Sequence, residues 1–224
     1  MNDGYLFMPA FKFTLNSERT PMNFKMPIML FRLSLCVALT VIISPAGAVG
    51  TKLQNFEYAV ISAVINHGLS DDAAKIVIAE STTGESVDIF DAAQTPEEIA
   101  KELGTTPAAL REWSLVNRNR YKLSQQLALD GPYHLLADDD RSQIFNNLDP
   151  DVNWQQFHAR FPDAVGIVRV SRPSTDDIAK TALLYLEFEC GTECGSGRLI
   201  NLVQTVPDQW QVTSGSLVWI TAPE

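Results

Sequence analysis

The residues best suited to chemistry are two cysteines, Cys190 and Cys194, in the segment CGTECGSG. A pair of thiols can form a structural disulfide, bind a metal or act in redox exchange. Structural zinc sites need four ligands, typically with Cys-x-x-Cys spacing, and the sequence has no second cysteine pair. Thioredoxin-like chemistry uses C-x-x-C at a helix N-terminus, whereas this pair is C-x-x-x-C between two strand-like runs. The pattern favours a structural disulfide between Cys190 and Cys194, with no metal and no cofactor.

The candidates for acid–base catalysis are the three histidines, His67, His134 and His158. A catalytic triad would place one of them beside Ser171 or Cys190, with a carboxylate behind it. The sequence contains no G-x-S-x-G or other nucleophile motif. We therefore predict no catalytic residue. The alternative is a small hydrolase whose site is assembled from remote positions, in a pocket between helix and sheet.

Three consecutive carboxylates, Asp138, Asp139 and Asp140, carry the oxygen ligands that calcium prefers. The surrounding loop lacks the regular oxygen spacing of a calcium loop. Asp140 with Gln143 three residues later fits a helix cap instead. We interpret the segment as a solvated loop followed by a capped helix.

Residues 97–113, EEIAKELGTTPAALREW, have the order of a helix-turn-helix: an apolar helix, a glycine turn and a second helix. Arg111 is the only basic residue early in the second helix. Residues 1–48 hold four basic and two acidic residues, which leaves 13 basic and 25 acidic residues and a net charge of −12. Such a surface repels phosphates and anionic lipids. We predict no nucleic-acid partner, with a DNA-binding helix-turn-helix as a remote alternative.

The clearest functional signal is an export signal over residues 26–48. Lys25 and Arg32 supply positive charge, an apolar run follows, and Ala46-Gly47-Ala48 forms an A-x-A cleavage site before Val49. The apolar run is shorter than the about 20 residues of a membrane span, so no stable span is expected after cleavage. Residues 1–25 then lie upstream of the true start, at Met22 or Met26. The signal predicts a periplasmic or secreted domain over residues 49–224.

The secondary-structure elements that position these residues are predicted in a clear order, with helices in the first part of the chain and strands in the last. Thr95 with Glu98 forms a capping box, and Thr106-Pro107 opens another helix. Two further helices are predicted over Phe56–His67 and Trp154–Phe161. Strands are predicted over Lys75–Glu80, Pro132–Ala137, Val165–Ser171, Ala182–Glu189, Arg198–Gln204, Trp210–Thr213 and Leu217–Thr221.

This order predicts an α+β fold, with helices packed on one face of a mainly antiparallel sheet that ends in a β-meander. In the run over 182–189, Leu184, Leu186 and Phe188 alternate with the intervening residues, the pattern of a half-buried strand. A buried first helix inside a curved sheet would be similar to a cystatin-like roll, by fold-level analogy.

Several separated motifs resemble a group of uncharacterised, exported bacterial proteins with a CG-x-x-CG strand hairpin. They are the Tyr58–Ile65 helix, Phe157…Phe161-Pro162, Gly166-Ile167, Ser171-Arg172, Ala182-Leu183-Leu184-Tyr185, Cys190-Gly191…Cys194-Gly195, Trp210 and Val218-Trp219-Ile220. This chain departs from the group in its more acidic residues 173–180 and in Glu193 within the turn. The resemblance implies location and fold, and carries over no catalytic residue. We expect a non-catalytic protein that binds an unknown ligand or an envelope protein.

Overall fold

In the computed structural model of this chain, the residues described are 52–69, 75–84 and 95–221. The predicted export signal and its cleavage site between Ala48 and Val49 lie outside them. No helix in these three ranges is long and apolar enough to cross a membrane. The helices are α1 (Asn55–Gly68), α2 (Pro96–Glu102), α3 (Pro107–Val116), α4 (Asp138–Ile144) and α5 (Pro150–Arg160). The strands are β1 (Lys75–Ala79), β2 (Tyr133–Leu136), β3 (Ala164–Val170), β4 (Ser174–Asp176), β5 (Thr181–Gly191), β6 (Cys194–Val206) and β7 (Gln209–Thr221).

The seven described strands form one mixed sheet in the order β2-β1-β3-β5-β6-β7, and β4 pairs with β5. Strand β1 runs parallel to both β2 and β3, while β3, β5, β6 and β7 pair antiparallel. The predicted α+β class and C-terminal meander are confirmed. Four of the six strand pairings in the described sheet are antiparallel, so the prediction of a mainly antiparallel sheet is confirmed. The expectation of a curved, cystatin-like sheet is wrong, because the sheet is not strongly curled. Parallel neighbours need long crossovers, and the segments containing α2–α3 and α4–α5 supply them.

Helix α1 covers one face of the sheet. Its first turn is fixed by a capping box in which Glu57 accepts a hydrogen bond from the Gln54 backbone nitrogen at 2.6 Å. The buried side of α1 packs on alternate residues of four strands, so its apolar surface is removed from water. The main buried contacts on this face come from Val60, Ile61, Val64, Ile65, Ile76, Ile78, Val168, Val170, Leu184 and Leu202.

The opposite face is also covered, which corrects the expectation of helices on one face only. Helices α2 and α3 pack Ile99, Leu110 and Trp113 against Leu183, Tyr185 and Leu199. Helices α4 and α5 cover Val77 and Ile167 with Ile144, Phe157 and Phe161. Strand β5 is therefore buried on both faces over residues 182–187, and the prediction that it is half-buried is wrong.

Local signals set most of the element ends. Thr95 and Thr106 cap α2 and α3 as predicted, by accepting hydrogen bonds from the backbone nitrogens of Glu98 and Ala109. The predicted cap at Asp140 is wrong: the N-cap of α4 is Ala137, three residues earlier, and the helix begins at Asp138. The last two predicted strands are one continuous strand, β7, which passes through Gly215 with three irregularities in its pairing to β6.

Candidate functional site

The tip of the β5–β6 hairpin contains the predicted disulfide. Cys190 and Cys194 are bonded, with their Cα atoms 5.0 Å apart. Gly191 pairs directly with Cys194, so only Thr192 and Glu193 connect the two strands. The Thr192 hydroxyl donates a hydrogen bond to Asp151 of α5 at 3.0 Å. The disulfide therefore closes a tight turn, and the same turn contacts helix α5. A disulfide in this position acts as a structural crosslink.

The aspartates at 138–140 are engaged with other protein groups. Asp138 accepts hydrogen bonds from the Ser81 hydroxyl at 2.6 Å and from Arg120 at 3.0 Å. Asp140 forms an ion pair with Arg160 at 2.7 Å. In the described part of the chain, no group of three or more His, Cys, Asp or Glu residues is arranged to hold a metal ion.

Among the described residues, no histidine is bonded to Ser171 or Cys190, the two residues that a catalytic triad would use. His67 is exposed at the end of α1, His134 on β2 packs against Phe161, and His158 is exposed on α5. Among the described residues, none of the three makes a hydrogen bond or ion pair with a carboxylate. Ser171 is buried, and its hydroxyl accepts hydrogen bonds from the Trp113 indole and the Tyr185 backbone, both at 2.9 Å. This arrangement contains no Ser-His or Cys-His pair.

A polar cluster that the sequence motifs did not indicate lies on the helix-covered face of β5. We call it the β5 polar cluster, and it consists of Arg169, Tyr185, Glu187, Glu189 and Trp219. Arg169 forms an ion pair with Glu187 at 2.7 Å and lies 3.8 Å from Glu189. The Tyr185 hydroxyl donates to Glu187 Oε1 at 3.0 Å and accepts from the Trp219 indole at 2.6 Å. An indole, a phenol, a carboxylate and a guanidinium are thus connected in series.

Burial shifts the ionisation of the two inner groups of this cluster. Desolvation raises the pKa of Glu187, and the neighbouring Arg169 charge only partly opposes it. Desolvation, followed by the negative charge of Glu187, also raises the pKa of Tyr185. Raised carboxyl pKa values are common in active sites, but they also occur in structural networks. Because Tyr185 bonds one Glu187 oxygen and Arg169 pairs with the other, we interpret Glu187 as a structural group.

Gly197 of β6 makes the contact between Tyr185 and Trp219 possible. It pairs with Glu187 on one side and Trp219 on the other. A Cβ atom at this position would lie 2.3 Å from the Tyr185 hydroxyl and 2.1 Å from the Trp219 indole nitrogen. The absence of a side chain at residue 197 is therefore a packing requirement of the cluster.

A second ion pair lies on the other side of the sheet and joins the buried Glu57 of α1 to the partly exposed Arg172, which follows β3. Arg172 donates to Glu57 Oε1 at 2.5 Å, and its guanidinium lies 4.4 Å from the centre of the Tyr121 ring. The Asn117 side chain bonds both the backbone nitrogen and the carbonyl of Arg172. Because the buried carboxylate of Glu57 is neutralised by Arg172, we interpret this network as a structural link.

An open groove lies between α3 and the strands β4 and β5. We call it the α3–β5 groove: residues 104–112 form one side, residues 174–183 the other, and Asn201 is part of the lining. Its volume is about 790 Å³, within the range of small-molecule sites. Most of its lining side chains are small, and Glu112, Asp176 and Asp177 add carboxylates. Ile178 is 96% exposed beside them.

The sequence contains only weak signals for the β5 polar cluster and the α3–β5 groove. Tyr185, Glu187 and Glu189 share one face of a strand, and this alternation was visible in the sequence. This alternation of polar residues indicates that one face of β5 is exposed to solvent. No local sequence pattern shows that α2 and α3 pack on that face. Residues 174–179 form much of one groove wall, and Asp176 and Asp177 are the acidic residues among them.

No protein-family model, curated protein or solved structure matches this chain.

Proposed function

We propose that the protein is an exported, non-catalytic binding domain, and that the α3–β5 groove receives its ligand. The observation that carries this proposal is the groove itself. A concave site of about 790 Å³ can enclose much of a small ligand. Export is supported by the order of charge, apolar run and A-x-A site before Val49, and by the resemblance to exported proteins with a CG-x-x-CG hairpin.

The construction of the groove fits binding of a small ligand. Its α3 side is held by the Thr106 cap, and Asn201 donates hydrogen bonds to the Gly104 carbonyl and to Ser214. On the other side, Asp176 accepts from the backbone nitrogens of Ile178 and Ala179, both at 2.9 Å, and so orders the β4–β5 turn. Both walls are thus held in place by internal hydrogen bonds, which lowers the entropic cost of binding.

The ligand can be sought by native mass spectrometry of protein purified from the exported fraction, together with a thermal-shift screen of small molecules. The variant Ala108→Trp places a large ring in the groove from an exposed position of α3. Leu115→Trp is the matched control, because Leu115 is 44% exposed on the same helix and does not line the groove. We expect a retained or stabilising ligand with wild type and Leu115→Trp, and its loss with Ala108→Trp.

A ligand that binds Ala108→Trp as strongly as wild type would place the binding site elsewhere. Failure of both methods to find any ligand whose binding depends on residue 108 would contradict the proposal as a whole. Circular dichroism of the two tryptophan variants controls for folding.

A further inference from the structure

Ser174 of β4 is a buried polar residue in the lining of the α3–β5 groove. The residue is only 5% exposed, and its hydroxyl makes no hydrogen bond with any part of the protein that the structure describes. The hydroxyl oxygen is not sealed from solvent, so it faces the groove. Buried hydroxyls in proteins are normally hydrogen-bonded, because a buried polar group without a partner is unfavourable. The groove therefore contains a polar atom that a ligand can satisfy.

The part of the groove around Ser174 is apolar. Ser174 pairs with Leu183 in the β4–β5 ladder, and Leu183 and its neighbour Ala182 are both buried groove residues. Ala109 of α3 is partly buried and contributes another small apolar side chain to the lining. Hydrogen bonds are stronger in apolar surroundings than in water, so a donor that reaches Ser174 here is well bound. A ligand that fits this floor has an apolar body and a hydrogen-bond donor.

The rim of the groove carries three exposed carboxylates, Glu112, Asp176 and Asp177. Asp176 uses Oδ1 to order the β4–β5 turn, and within the three described ranges Glu112 and Asp177 have no hydrogen bond or ion pair. Ser174 and Asp176 are two residues apart on β4, so their side chains leave the same face of the strand. Carboxylate charge and the unsatisfied hydroxyl thus belong to the same wall of the groove.

The charge of the groove is negative, without a compensating positive group. None of its described lining residues is Lys, Arg or His, and the whole chain has a formal net charge of −10. An anionic ligand would be repelled by the rim carboxylates, whereas a cationic ligand is attracted to them. An ammonium group also has three N–H donors on one compact atom, and both carboxylate and hydroxyl oxygens accept such donors.

We propose that the α3–β5 groove binds a small ligand that carries a primary ammonium group on an apolar body. The rim carboxylates attract the ammonium, the Ser174 hydroxyl accepts one of its hydrogen bonds, and the apolar body packs on Ala182 and Leu183. This inference rests on the function proposed above, because it names the class of ligand for the same groove.

Benzylamine, benzyl alcohol and phenylacetate are suitable probes, because they share a ring and are cationic, neutral and anionic at neutral pH. Each is titrated at constant ionic strength into isotope-labelled protein purified from the exported fraction, and binding is followed by the amide NMR shifts of the groove residues. We expect benzylamine to bind most tightly and phenylacetate least tightly. Ala108→Trp, which fills the groove, should abolish the shifts that benzylamine causes there.

The rim variant Glu112→Gln with Asp177→Asn removes two charges and keeps the shape of the side chains. It should weaken benzylamine binding by about threefold or more and leave benzyl alcohol binding unchanged. Ser174→Ala should weaken benzylamine binding by about threefold, through the loss of one hydrogen bond. The matched control is Glu193→Gln with Asp208→Asn, which removes two carboxylates from exposed positions outside the groove and should bind benzylamine like wild type.

Equal binding of the three probes to wild type, or undiminished benzylamine binding by the rim variant or by Ser174→Ala, would overturn the ammonium assignment. An equal loss in the control variant would also overturn it, because the effect would then come from the overall charge. A ligand that is lost in Ala108→Trp, found while benzylamine leaves the groove amides unshifted, would contradict the ligand class and leave the proposed function intact. If no ligand depends on residue 108, both proposals are wrong.

Discussion

At the scale of single residues, the most unusual feature is a carboxylate inside the protein, on the sheet face covered by α2 and α3. Glu187 is 7% exposed, and it is held by Arg169 and by the Tyr185 hydroxyl. Ionised groups are costly to bury, and the partners offset this cost only in part, as the raised pKa of Glu187 shows. Stability should therefore depend on pH through this residue.

The pH dependence has a defined sign. The ordinary pKa of Glu187 is 4.5 and the folded value is higher, so the folded state binds the proton more tightly than the unfolded state. Its contribution to stability is fully present below pH 4.5 and is lost as the pH rises through the folded pKa. We expect the free energy of unfolding of wild type, minus that of Glu187→Gln, to fall as the pH rises from 4.5, by at most about 1.4 kcal/mol per pH unit.

Urea unfolding of wild type and Glu187→Gln at a series of pH values measures this difference directly. Glu193→Gln is the control, because it removes an exposed carboxylate from the tip of the same hairpin. The free energy of unfolding of Glu193→Gln, compared with that of wild type, should change little over the same pH range. A wild-type advantage over Glu187→Gln that grows with pH would contradict the expected sign.

At the scale of elements, the β5–β6 hairpin connects the parts of the described structure. Strand β5 touches the core on one face and the α2–α3 layer on the other, and it supplies Tyr185 and Glu187 to the polar cluster. Strand β6 supplies Gly197, which leaves room for Trp219 of β7. The disulfide lies at the turn between these two strands, so it restrains the hairpin next to this cluster.

Replacing both cysteines, by Cys190→Ser with Cys194→Ser, should lower stability without changing the fold. The closed loop is very short, so chain entropy alone predicts a loss of about 2 kcal/mol. For a domain of this size that corresponds to a melting temperature lower by about 4–8 °C. Thermal unfolding of the double variant measures the effect, and intact mass before and after reduction and alkylation counts the free thiols.

The control for this pair is Thr192→Val, which removes the hydrogen bond from the hairpin tip to Asp151 and leaves the disulfide in place. An exposed hydrogen bond contributes about 1 kcal/mol or less, so the control should melt close to wild type. Free thiols in the native exported protein, or an unchanged melting temperature of the double serine variant, would disprove the structural role.

At the scale of the whole molecule, the sequence predicted the features that depend on neighbouring residues. The caps at Thr95 and Thr106, helix α1 and most strands follow from local patterns, because capping and periodicity involve residues a few positions apart. The parallel pairing of β1 with β2 and β3 was missed, because the partners are separated by long crossovers. The cover of α2 and α3 over Tyr185 is a long-range feature of the same kind.

The sequence also predicts where the protein is found and where its mature chain begins. The positive charge at Lys25 and Arg32, the apolar run and the A-x-A site should direct export with cleavage between Ala48 and Val49. N-terminal sequencing of protein from the periplasmic and extracellular fractions of a bacterial host should therefore begin at Val49. Ala48→Phe should leave an uncleaved precursor, because the site requires small residues. A full-length cytoplasmic form as the main species of the unmodified chain would contradict export, whereas a different first residue in the exported protein would contradict only the cleavage site.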